Sequence, residues 1–253
     1  LILNKIIKDA SIIADINLNF DEKGKIKNDY VIKGIVKDSK LRLLNSNKIE
    51  KLNFVFEVKY NQLNLRDIKA QFNQISILSS VTEIKKKDKN FYIDSKLKTN
   101  EKDFNFNALN KIFKGELKNQ GIKNMIFSSS NKISFFINEK FKIKDFMLES
   151  NIDLKSLIYT NEFKNLNEYF KGYKDILELK NNKILLSYDK NEFSLNGNGK
   201  IGFKDIYDDI DYKIKQQGKK HIFYTKIDVK KNLFSIPLLN YEKKKNSTLS
   251  INL

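Results

Sequence analysis

From Ser11 to its last residue the chain alternates apolar with polar at a period of two, and few folds are compatible with that pattern. Ile12, Ala14, Ile16, Leu18 and Phe20 leave one side of the backbone while Ile13, Asp15, Asn17 and Asn19 leave the other, because successive side chains of a strand point to opposite faces of the pleat. The alternation predicts strands over 11–20, 30–37, 50–59, 63–72, 75–85 and 90–98. It resumes over 132–138, 141–154, 176–188, 192–203, 209–216, 220–229, 233–239 and 247–253. Between them lie short polar turns such as Asp21-Glu22-Lys23-Gly24-Lys25 and Asp88-Lys89-Asn90, whose residues suit tight antiparallel hairpins. The expectation is an all-β chain built as a long antiparallel meander.

Two places break the period. Phe106, Leu109, Ile112 and Phe113 recur at helical spacing, and so do Phe163, Leu166 and Phe170, which predicts two short helices with one apolar stripe each. Lysines (Lys114, Lys171) and glycines (Gly115, Gly172) follow both stripes, the residues that favour a helix end. The stretches before them align as well, Phe91, Ser95, Leu97 and Lys98 matching Leu148, Ile152, Leu154 and Lys155. Residues 90–115 and 147–172 therefore read as related strand-helix units within one extended domain covering 1–253. The chain opens on Leu1 inside an apolar stretch, and the expectation is an internal fragment of a longer protein.

So many apolar strand faces pose a problem of cover. Burying one Ile, Leu, Val or Phe is worth ~1.5–3 kcal/mol, and two short helices cannot hide a dozen strands. Either two sheets pack face to face as a β-sandwich, or one long sheet presents an apolar groove that something else fills. The opposite face is polar, as where Lys51, Asn53, Glu57 and Lys59 alternate with Leu52, Phe54, Phe56 and Val58. Lys85 to Lys89 is expected to be a solvated charged loop.

Composition removes several function classes. The chain has no cysteine and one histidine, which excludes disulfides, thiolate nucleophiles and cysteine zinc sites. Its net charge is +17, yet only Arg42 and Arg66 among its 48 basic residues are arginine. Lysine lacks the planar fork that reads bases, so no specific nucleic-acid partner is expected. An AT-rich genome accounts for the lysine, asparagine and isoleucine excess, and attraction to anionic lipid surfaces is compatible with it.

The candidate catalytic motifs do not hold up. Gly-Asn-Gly-Lys-Ile-Gly at 197–202 matches a dinucleotide fingerprint in form, but Leu195, Gly197, Gly199, Ile201 and Phe203 continue one strand face where that motif needs a helix to open. Asp208, Asp209 and Asp211 read as a solvated turn entering a strand, without the further ligands of a calcium loop. With His221 the one histidine and no cysteine, a nucleophile and base pair would need unusual partners, and Ser128-Ser129-Ser130 reads as a turn without a glycine elbow. The expectation is no catalytic residue, no metal and no cofactor: the protein is not an enzyme.

Three stretches carry a resemblance. Val31-Ile32-Lys33-Gly34-Ile35-Val36-Lys37-Asp38-Ser39-Lys40-Leu41, then Leu52 to Phe56, then Phe91-Tyr92-Ile93-Asp94-Ser95-Lys96-Leu97 resemble the AsmA-like family of α-proteobacteria with AT-rich genomes. Leu186-Ser187-Tyr188-Asp189-Lys190 and the strand from Phe193 to Ile201 are similar to that family's tyrosine and glycine-x-glycine strands. The resemblance implies a repeating β-groove lipid-transfer protein of the Gram-negative envelope. Such a protein is held to the inner membrane by an anchor outside this stretch and carries phospholipid acyl chains through the periplasm toward the outer membrane. The residues expected to line the groove are Ile16, Leu18, Phe54, Phe56, Phe91, Ile93, Leu97, Leu148, Ile152, Leu154, Leu195 and Ile201. The alternative is a self-filled β-sandwich serving as an envelope adhesin or assembly scaffold.

Overall fold

The computed structural model describes residues 7–8, 10–42, 48–72, 75–105, 121–140, 142–160, 166–173, 175–190, 192–203, 206–218, 220–244 and 246–253. The strands are β1 (Ile7–Lys8), β2 (Ser11–Asn17), β3 (Val31–Arg42), β4 (Lys48–Lys59), β5 (Gln62–Phe72), β6 (Ile75–Lys87), β7 (Asn90–Asn105) and β8 (Ile122–Asn138). Then follow β9 (Ile143–Thr160), β10 (Ile176–Asp189), β11 (Glu192–Phe203), β12 (Ile206–Gln217), β13 (Lys220–Val229), β14 (Ser235–Ile236), β15 (Tyr241–Glu242) and β16 (Leu249–Asn252). From β3 to β13 every strand neighbours the next in sequence, β1 and β2 both pair with β3, and β16 pairs with β13. This is an antiparallel meander, not closed into a barrel. A separate ribbon of β14 and β15 is the other sheet among the described residues, so two large sheets facing each other, as in a sandwich, are not what these strands form.

The chain divides into two compact units, Leu1–Asn100 with Ser130–Glu149, and Glu101–Ser129 with Ser150–Leu253. The long strands β7, β8 and β9 contribute residues to both.

Turn chemistry sets the hairpins. Asn61, Asp88 and Lys190 take positive φ of 57°, 54° and 47°, the left-handed conformation that two-residue hairpin turns require. Asp21 and Asn138 each use one side-chain oxygen to accept two backbone N–H bonds, from Lys23 and Lys25 and from Lys140 and Lys142, which locks the loop after β2 and the β8–β9 turn.

Inside the strands, bulges keep apolar residues on one face. Asp38, Lys51 and Asp67 in the first unit and Asn181 in the second adopt φ near 50° within strands, and register shifts occur beside Asp38, Lys51, Asp67 and Asn181. Each bulge disturbs the ladder, and a small polar side chain takes up the backbone groups. Ser39 Oγ donates to the Leu52 carbonyl at 3.1 Å, and Asn53 accepts from Asp38 N–H while donating to the Lys51 carbonyl. Ser79 Oγ donates to the Val81 carbonyl, and Asn182 Nδ2 donates to the carbonyls of both Lys180 and Lys200. Ser39, Ser79 and Asn182 are therefore buried polar residues within an apolar face.

The sequence expectations need several corrections. The predicted strand 233–239 survives only as β14, followed by a 3-10 turn over Pro237–Leu239. Proline lacks the N–H that a ladder needs. Ser128-Ser129-Ser130 is not a turn but the middle of β8, and Lys85, Lys86 and Lys87 belong to β6, with the turn confined to Asp88 and Lys89. Strands β7, β8 and β9 run well past the ranges predicted, since bulges and interior serines interrupt a strict alternation without ending the strand. The first predicted helix, with the end of unit 90–115, lies outside the described residues. Of the second, α1 spans Leu166–Tyr169, and Gly172 beyond it takes a φ of 125°. Among the described residues no helix is long and apolar enough to cross a membrane.

Candidate functional site

In the first unit, direct cross-strand neighbours carry an apolar row over six strands: Ile16, Ile32, Val58, Leu63, Ile84 and Ile93 stand opposite one another in turn. The next row runs Ala14, Gly34, Phe56, Leu65, Thr82 and Ser95. Gly34 makes room for what lies over it: a Cβ there would stand 2.6 Å from the Phe56 ring and 2.3 Å from the Ile13 carbonyl. A third row brings Ile12, Val36 and Phe54 together, and the rings of Phe54 and Phe56 meet edge to face at 6.4 Å. Among the described residues of this unit the fully buried hydrophobics are Val36, Leu52 and Ala70. Thr82 and Ser95 of the second row are buried as well, with Ser39 and Ser79, while the other apolar side chains of the three rows are half-buried or exposed.

The reverse side of the same strands carries Asp15, Lys33, Glu57, Asn64, Glu83 and Asp94 in one row. A hydrogen bond from Lys59 and the charge of Lys33 hold the Glu57 carboxyl below its ordinary pKa. This face is less uniform than the sequence suggested, since Ile13, Ile35 and Val55 lie side by side on it and are exposed.

The residues expected to line a groove fall as follows. Ile16, Phe54, Phe56, Phe91, Ile93 and Leu97 share the apolar face of the first unit, Ile16 and Phe91 with exposed side chains. Leu18 follows the end of β2 and belongs to no strand. Leu148, Ile152 and Leu154 alternate along β9 with exposed Glu149, Asn151, Asp153 and Lys155. Leu195 and Ile201 lie on the apolar face of the second unit. Leu154 and Ile201 are buried at 3% and 8% exposure, so they pack against protein, whereas Phe56, Leu148 and Leu195 retain accessible surface.

In the second unit the face is built from Leu186, Leu195, Ile214 and Phe223 in one row and Ile184, Gly197, Tyr212 and Thr225 in the next. The glycines of 197–202 lie within β11, and a Cβ on Gly197 would stand 2.2 Å from the Tyr212 ring. Close packing is thus what these glycines permit. Burial of Tyr212 pushes its phenol up to about 12, and its hydroxyl and the Asn182 Oδ1 are buried without hydrogen-bond partners.

One end of this face is sealed. Phe170 and Tyr173, just past α1, and Phe234 close over Phe203 and Val229, with Leu166, Leu177, Ile227, Ile236, Leu249 and Ile251 packed around them. The Phe170 ring lies 4.6 Å from Phe203 and 5.1 Å from Phe234. Polar pins hold the cap: Ser235 Oγ donates to the Glu168 carbonyl, Lys243 Nζ donates to the Lys230 and Ser247 carbonyls, and Lys171 pairs with Glu242.

Sequence reading missed the residue that anchors this cap. Asp208 is not part of a solvated turn; it is 3% exposed. One of its oxygens accepts the N–H groups of Lys230 and Lys231 at 2.8 and 2.7 Å, and the other accepts the backbone and side-chain N–H groups of Asn232. Burial pushes its carboxyl up, but these hydrogen bonds outweigh that and hold it below its ordinary value. The carboxylate fixes the segment that leads into Phe234. The signal available in sequence was only a carboxylate at a strand position whose neighbours in phase are apolar. Asp209 instead pairs with Lys200 and Lys230 on the polar face. His221 lies at the exposed start of β13, its ring 6.5 Å from that of Phe223.

Family models, curated proteins and solved structures were compared with the chain, and none matches.

Proposed function

We propose that the protein is a non-enzymatic carrier or conduit for phospholipid, in which acyl chains lie on the apolar strand face of the first unit. The observation that supports this is the row from Ile16 to Ile93, continuous over six strands and not sealed in the way the second unit seals its own face. At ~4.8 Å per strand such a row extends about 24 Å, more than the about 15 Å of hydrocarbon in one leaflet. Acyl chains gain ~0.8 kcal/mol per buried methylene without specific polar contacts, so the absence of polar residues along this row suits the cargo. In the resemblance to AsmA-like proteins the setting is the periplasm of a Gram-negative bacterium, with an inner-membrane anchor elsewhere in the protein. Neither nucleic acid nor a cofactor enters this reading.

Native mass spectrometry of gently extracted protein tests it, together with transfer of labelled phospholipid between vesicles. Bound phospholipid and transfer are expected, both lost in a folded Phe56→Glu variant. Protein that emerges free of lipid and moves none between vesicles overturns the reading.

A further inference from the structure

The polar face of the second unit is more than a solvated surface. The register sets Leu185, Asn196, Lys213 and Tyr224 in one row across β10 to β13, and Lys183, Asn198 and Asp211 in the next. These two rows line a depression of about 460 Å3. A second depression, of about 310 Å3, is lined by Asp153 and Lys155 of β9 and by Asn181 and Lys183 of β10. Lys183 belongs to both, so the two meet there as one groove from β9 to β13. At ~4.8 Å per strand the four steps span about 19 Å. Strands β10, β11 and β12 are each paired on both sides, so a further strand beside β13 would lengthen this face and leave the groove open.

The lining restricts what the groove can hold. In a chain of net charge +17 the groove is balanced, its carboxylates Glu101, Asp153 and Asp211 matching its lysines Lys155, Lys183 and Lys213. A polyanion therefore gains little here. Among these charges stand the carboxamides of Asn181, Asn196 and Asn198, none of which has a hydrogen-bond partner among the described residues. A carboxamide both donates and accepts, so three of them suit a ligand that presents donors and acceptors together, as hydroxyl groups do. The ends of the first row are apolar and open, with Leu185 57% and Tyr224 49% exposed. A tyrosine ring has a flat, electron-rich face that attracts C–H groups and a hydroxyl at its rim. A sugar ring is the complement of this lining, with C–H groups on its faces and hydroxyls around its edge.

We propose that this groove binds a neutral oligosaccharide, one sugar ring stacked on Tyr224, its hydroxyls on Asn196 and Asn198, and the chain running on toward Asp153. The inference goes beyond the lipid reading, which concerns the apolar face of the first unit, and does not rest on it. Protein that binds sugar but carries no lipid refutes that reading alone, and protein that carries lipid but binds no sugar refutes this one alone.

Isothermal titration calorimetry tests the proposal, with cellohexaose, maltohexaose and chitohexaose as neutral probes and hexagalacturonate as the charged one. At least one neutral probe is expected to bind with a Kd below about 1 mM. Its affinity should change less than about twofold between low and high salt, because no counterions are released. Tyr224→Ala is expected to weaken binding about tenfold and Tyr224→Phe to restore most of it, since the ring face makes the contact. Asn198→Ala should cost about fivefold, and this exposed position decides the matter if Tyr224→Ala loses its cooperative melt. Failure of all three neutral probes to bind overturns the proposal, as does a preference for hexagalacturonate or affinity that falls steeply with salt. Binding that both Tyr224→Ala and Asn198→Ala leave unchanged places the sugar elsewhere and overturns it too.

Discussion

At Val229, in the second unit, the apolar face lies beneath Phe170, Tyr173 and Phe234 and reaches no solvent. At Phe56, in the first, a ring of the same kind on the same kind of face is only half-buried. The strands leading to both places are written in one alternating code. What differs is a short segment after β13 that folds back, and it folds back because Asp208 gathers the N–H groups of Lys230, Lys231 and Asn232. A greasy strand face is thus not by itself a core or a site. It becomes a core where a polar anchor brings a cover to it and stays available where none arrives.

The sharpest break of this comparison is to place a charge at each position. Val229→Asp buries a carboxylate with no partner, and the expected loss is about 4 kcal/mol or more, read as collapse of the second unit's cooperative melt and amide protection. Phe56→Asp is expected to cost about 1–2 kcal/mol, because a half-exposed acid keeps most of its hydration. Equal losses at the two sites would mean that the first face is also a closed core.

Truncating the cap comes next. Phe170→Ala removes a ring packed against Phe203 and Phe234 and should destabilise by about 3 kcal/mol in thermal or urea unfolding. A change below about 1 kcal/mol would show that the cap is not seated.

Asp208→Asn should cost about 2 kcal/mol, since two carboxylate oxygens that accept four N–H bonds become one acceptor and one clashing donor. The pH dependence has a definite sign. The folded carboxyl titrates below the ordinary 3.8, so its contribution is complete above that value and is lost as pH falls through the lowered one. The parent chain should lose stability in that acid range more steeply than the variant, as followed by melting temperature against pH.

The smallest expected effect is at Tyr212. Its hydroxyl is buried without a partner, so Tyr212→Phe should be neutral or stabilise by up to about 1 kcal/mol. With the folded phenol pushed up to about 12 from 10.0, stability of the parent should decline as pH rises between those values, and the variant should lack that decline. A destabilising Tyr212→Phe would reveal a hydrogen-bond partner for the hydroxyl.

Much of this fold was legible in the residues. The period-two runs from Tyr30, Leu63, Ile75, Ile176, Glu192 and Lys220 place the starts of strands β3, β5, β6, β10, β11 and β13 within a residue or so of where they lie, and Leu195, Gly197, Gly199, Ile201 and Phe203 do share a face. Places where the alternation skips a beat were not legible. Lys37-Asp38-Ser39 reads as the end of a strand, yet a left-handed Asp38 and a buried Ser39 carry the same strand on to Arg42. The groove residues were legible only as a face. Nothing in the alternation separates Leu148, which stays accessible, from Leu154, which does not.

The sequence by itself determined that these residues form strands, which of their side chains share a face, and where short polar turns make hairpins such as those at Asp88 and Lys190, because all three follow from local backbone preferences and a two-residue period. Only the tertiary structure decided which part of the apolar face is sealed, since that depends on one carboxylate meeting three backbone N–H groups more than twenty residues away.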